Sequence, residues 1–166
     1  MASEEDTDPN KKPARKQFEL EPSALDQMTH AEARILYAES TETLRFIKGH
    51  QWKTVGATLM TYLGLVFIAG FVDGGHTLTN KFMAITILLA TAAIFTLMIY
   101  QFWMHNEGRK IDLIASQFSN LFRRVRSVKS AREGNLHRYT LLIFMIISIF
   151  LGAVVVHLAL DAIVSS

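Results

Sequence analysis

The sequence predicts an all-α, polytopic membrane protein with three transmembrane helices, a cytoplasmic N-terminal helix and a basic amphipathic helix between spans two and three. Three observations carry this prediction. Thr54 to Val72, Phe82 to Met104 and Tyr139 to Leu160 are free of Asp, Glu, Lys and Arg over 19, 23 and 22 residues. At about 1.5 Å rise per residue these blocks reach roughly 28 to 35 Å, against a hydrocarbon core of about 30 Å. None of the three has the polar face that a water-soluble helix of that length needs. Finally, Lys and Arg are placed asymmetrically: eight up to Lys53, one in the Asp73 to Lys81 link, eight in the His105 to Arg138 link and none after Leu160. The positive-inside preference then puts the N-terminus and the long link in the cytoplasm and the short link and C-terminus outside.

Residues 1–22 alternate an acidic block (Glu4, Glu5, Asp6, Asp8) with a basic one (Lys11, Lys12, Arg15, Lys16) and hold all three prolines. They have too few apolar residues for a core and read as a disordered cytoplasmic tail. Residues 23–50 read as a cytoplasmic amphipathic helix. Ser23 with Asp26 three residues on is close to a capping box, and Leu25, Met28, Ile35, Leu36, Leu44 and Ile47 recur near one stripe. Gly49-His50 is expected to loosen the junction with span one. Residues 51–104 form a transmembrane hairpin with Trp52, Tyr100, Phe102 and Trp103 at its inner boundary. Because the first 50 residues are polar, block one is expected to be a retained span rather than a cleaved signal.

The link 105–138 has a net charge of +5. Ile111, Ile114, Phe118, Leu121, Phe122, Val125 and Val128 recur at steps of three and four, with Arg123, Arg124 and Arg126 between them. That pattern is a helix with one apolar face. It suits either the headgroup layer of an anionic inner leaflet or the surface of a neighbouring helix or subunit. Ile111, Ile114, Phe118, Phe122, Arg123, Arg124 and Arg126 are therefore candidate contacts for lipid or a partner. Residues 139–166 form the third span and the outer C-terminus; Ser148 and Gly152 give it a face of small residues that permits close helix approach.

The chemistry on offer is sparse. With no cysteine, thiolate metal sites, disulfides, thiol nucleophiles and prenyl or palmitoyl anchors are excluded, and the Met-Ala start lacks the glycine of myristoylation. The phosphate-loop, dinucleotide, His-Glu-x-x-His and Gly-x-Ser-x-Gly patterns are absent. Arg132 and His137 have the Arg-x4-His spacing of some metal-independent RNases, a likeness that stops at the spacing. His157 and Asp161 lie four apart at the outer end of span three, and the outer link adds Asp73 and His76. These four could hold Zn or Cu or exchange protons; otherwise no cofactor is expected.

The expected function is a non-catalytic subunit or scaffold of an inner-membrane assembly, most naturally in a bacterial cytoplasmic membrane. It would work through contacts with other membrane subunits or its own copies, without nucleic acid. The alternatives are an oligomeric pore or membrane-perturbing effector and an outer-face metal or proton-binding subunit.

Overall fold

Asp26, rather than Ser23, caps the first helix. Its Oδ1 accepts from the backbone N–H of Met28 at 2.9 Å and Thr29 at 3.0 Å, satisfying two of the donors a helix start leaves open. Ser23 is used elsewhere: its hydroxyl donates to the Gln117 carbonyl at 2.9 Å. The computed structural model describes residues 19–72, 75–128 and 131–165, with the side chains of 131–135 and 164 outside the description.

Among these residues every regular element is helical: α1 Gln27–Phe71, α2 Gly75–Ser116, α3 Asn120–Ser127 and α4 Ala131–Ser165. Three of them, α1, α2 and α4, are long and apolar enough to cross a membrane. In their most apolar stretches only 22 %, 17 % and 22 % of residues are buried within the chain, so most of that surface needs lipid around it.

The expected loosening at Gly49-His50 does not occur. Helix α1 runs unbroken for 45 residues and α2 for 42, about 68 and 63 Å, roughly twice what the hydrocarbon core requires. The hairpin thus extends well past the apolar blocks. Its two halves are held by one continuous seam. Ser40, Ile47, Gln51, Val55, Thr58, Tyr62 and Ala69 are the buried positions of α1, and Thr86, Ala93, Leu97, Met104, Glu107, Ile111 and Ala115 those of α2. All successive members are three, four or seven residues apart, as in a left-handed coiled coil. A seam begun in the polar half is in register when it reaches the membrane half. This coupling is why Gly49 breaks nothing: it has open space around it, and the neighbouring Ile47 and Gln51 are locked in the seam.

Helix α4 joins the hairpin along Leu142, Met145, Ile149, Val156 and Leu160. Two contacts fix its register. At the basic end the Arg138 guanidinium donates to the Met104 carbonyl at 3.4 Å, lying over Gly108. Near mid-span, Gly152 meets α1 so closely that a Cβ there would lie 2.7 Å from Leu59 Cδ2 and 3.0 Å from Tyr62 Cδ2. Of the small residues on this face, Gly152 therefore serves packing inside the chain, against α1.

Candidate functional site

The link expected to form one amphipathic helix is two. Helix α2 continues to Ser116, the chain turns at 117–119, and Ser119 caps α3 through its hydroxyl, which accepts from the Phe122 N–H at 3.4 Å. The turn is braced by the segment before α1. The side-chain amide of Asn120 donates to the Glu19 carbonyl at 2.8 Å and its backbone N–H to the Glu21 carbonyl at 3.3 Å. These bonds join parts of the chain about a hundred positions apart, and nothing local in the sequence announces them.

The break divides the predicted apolar face. Ile111 and Phe118 are buried and Ile114 is half-buried. Phe118 stacks against His30, with ring centroids 5.3 Å apart, and against Tyr37 at 6.1 Å; the Phe122 ring meets Tyr37 edge-on at 5.5 Å. Arg126 closes this cluster. One guanidinium nitrogen bonds Asp112 Oδ1 at 2.5 Å and the other donates to Tyr37 Oη at 3.2 Å. Of the two covers left open by periodicity, helix and lipid, the first thus takes Phe118, Phe122 and Arg126. Arg123 and Arg124 remain on the exposed side, and Leu121, Val125 and Val128 form an uncovered stripe at steps of four and three, with Val125 67 % and Val128 84 % exposed.

Between this head and the apolar blocks sits one acid that is buried among the described residues, and no sequence motif marks it. Glu107, beyond the apolar block that ends at Met104, is only 6 % exposed. Lys110 bonds its Oε1 at 2.7 Å, and Ser40 on α1 and Trp103 also donate to it. The Lys110 bond is the main reason its carboxyl titrates below the ordinary glutamate value, with burial opposing. A carboxyl lowered on folding stabilises the fold above the unfolded-state value and stops doing so as pH falls through the folded one. Thermal stability in detergent is expected to fall as pH drops below about 4.5, less steeply in Glu107→Gln than in the wild type. Parallel curves for the two proteins would show that Glu107 contributes nothing there.

At the opposite end, His157 Nε2 and Asp161 Oδ2 are 3.9 Å apart, both more than half exposed. His76 is exposed near the start of α2, and Asp73 lies outside the described residues, as does the side chain of Arg132. Among the described residues no three His, Asp or Glu side chains come together as a metal would require. His157 also borders an apolar cleft of about 230 Å³ between α2 and α4, whose lining includes Met83, Thr86, Phe150 and Val154. The Thr54, Thr58, Thr86, Thr91 and Thr96 hydroxyls all donate to carbonyls four residues back, so they satisfy themselves within their own helices.

No protein family, curated protein or solved structure matches this chain at a significant level.

Proposed function

We propose that the chain is a non-catalytic integral-membrane subunit or scaffold of an inner-membrane assembly, cytoplasmic at its basic end, whose head engages a partner protein. The supporting observation is the Leu121, Val125 and Val128 stripe and its height. Arg126 is tied to Asp112, which stands about 12 Å along α2 beyond Met104. The headgroup layer of each leaflet is only about 5 to 7 Å deep. Most of the stripe is therefore out of reach of lipid, and water is an unfavourable cover for exposed Leu and Val; a protein surface covers it at no such cost. Ile35 at 66 % and Leu113 at 70 % exposed are further uncovered apolar side chains of α1 and α2 beyond the apolar blocks.

Extraction in mild detergent followed by mass measurement tests this reading. The wild type is expected to travel in a species heavier than its own 18.7 kDa chain, and Val125→Asp with Val128→Asp is expected to release it as a folded monomer. A wild-type chain that runs alone would overturn the proposal.

A further inference from the structure

The cleft between α2 and α4 forms where two side chains are short. Thr86 on α2 and Ala153 on α4 line it among the longer Ile87, Phe150 and Leu158. Thr86 and Val156 are buried, whereas Ile87, Phe150 and Leu158 are 63 to 65 % exposed, so the recess has a closed floor and opens sideways, where lipid surrounds the spans. Along α4 from Tyr139, Phe150 lies at about 16 Å and His157 at about 27 Å, close to the far limit of a hydrocarbon core of about 30 Å. The cleft therefore runs from mid-span, where it is wholly apolar, to the membrane boundary, where it carries an imidazole.

That imidazole has hydrogen-bonding capacity left over. Its Nε2 is 3.9 Å from Asp161 Oδ2, beyond hydrogen-bond reach. The Thr86 hydroxyl, by contrast, already donates to the Phe82 carbonyl at 2.9 Å. A plain hydrocarbon chain in the cleft would leave the ring nitrogens without a partner, so an occupant with a polar end fits better. Charge decides what kind of end. Asp161 stands one turn beyond His157 on the same face of α4; Lys81 falls about 200° round α2 from Met83, on the other side of that helix, and no Lys or Arg follows Leu160. A lipid phosphate or a fatty-acid carboxylate would meet an acid there without a Lys or Arg, so the polar end is neutral. Size and lining decide its shape. About 230 Å³ is less than the roughly 300 to 1,000 Å³ of a site that encloses a whole ligand, and suits one ring with its tail left in lipid. Phe150 and Met83 supply a ring and a thioether, both of which pack well on a flat π system.

We propose that this cleft binds the head of a lipid-soluble quinone, one carbonyl oxygen accepting from the His157 ring and the tail running past Phe150 into the bilayer. The site lies at the opposite end of the bundle from α3 and is independent of the protein partner proposed there.

Native mass spectrometry and thermal unfolding of the full chain in detergent, with decylubiquinone added, test it. The wild type is expected to bind the quinone saturably and to unfold at a higher temperature in its presence, whereas n-dodecane and decanoate at the same concentration do neither. His157→Leu changes a side chain that is more than half exposed and so leaves the bundle intact; it is expected to weaken binding about two- to tenfold, the worth of one hydrogen bond. Ala153→Leu, which fills the recess with His157 still in place, is expected to abolish binding. Leu63→Phe, on the exposed face of α1, should leave it unchanged. Equal responses to dodecane and the quinone, undiminished binding in His157→Leu, or a loss in Leu63→Phe equal to that in Ala153→Leu would each overturn the proposal. A wild-type dimer that Ala153→Leu dissociates would give the cleft to a second copy of the chain and overturn it too.

Discussion

Gly152→Ile is expected to unfold or dissociate the membrane bundle at a markedly lower temperature than the wild type. The reason is geometric. Even the first carbon of a side chain at 152 would lie 2.7 Å from Leu59 Cδ2 and 3.0 to 3.2 Å from two atoms of the Tyr62 ring. Leu59 has a flexible end and can move, but Tyr62 is 2 % exposed and has no space to retreat into. A β-branched residue must therefore push α4 away from α1, and overpacking of this kind costs about 1 to 3 kcal/mol, sometimes more. Gly56→Ala is the matched control. A Cβ at Gly56 meets nothing within 4 Å, so the change only improves helix propensity, by up to about 1 kcal/mol. Thermal unfolding in detergent of the two variants should move in opposite directions. If both fall alike, the close approach at Gly152 is not what holds α4 in place.

Tyr62→Phe is expected to stabilise the protein, and Tyr62→Ala to destabilise it strongly. The Tyr62 hydroxyl is buried with no hydrogen-bond partner, near the middle of the spans, where water is not at hand. Leaving a buried hydroxyl unpaired costs about 1 to 3 kcal/mol, and phenylalanine keeps the ring while removing that cost. Alanine instead leaves a void against Gly152 in the buried core of the spans, and deleting a large aromatic from a core costs about 3 to 5 kcal/mol. The ordering Phe above wild type above Ala is the expected result in thermal unfolding. A Phe variant less stable than wild type would mean that the hydroxyl is bonded in the membrane-embedded protein.

The two sites differ in how far they were legible beforehand. Gly152 stood out because small residues four apart permit close approach, but whether its partner was α1, α2 or another copy required the register of three helices. Tyr62 gave no signal at all. In a span that is apolar all round, periodicity does not mark a buried face, so one aromatic among many carries no address. In the head the situation is reversed. The steps of three and four from Ile111 to Val128 marked the apolar positions, yet the turn at 117–119 sends Phe118 and Phe122 onto Tyr37 and leaves Leu121, Val125 and Val128 open. The bonds that stabilise this turn come from residues 19–23, and a contact over such a distance in sequence has no local pattern.

By itself, the amino-acid sequence determined that the chain has three helices long and apolar enough to cross a membrane. Length, the absence of charge and the cost of placing bare peptide groups in hydrocarbon act on each segment alone. The tertiary structure decided which faces meet. Lipid solvates every side of an apolar helix almost equally well, so hydrophobicity cannot choose among them, and the choice falls to fit: a glycine that lets Tyr62 in, a heptad seam carried from the polar half of α1 and α2 into the membrane half, and an arginine seated on a carbonyl beside Gly108.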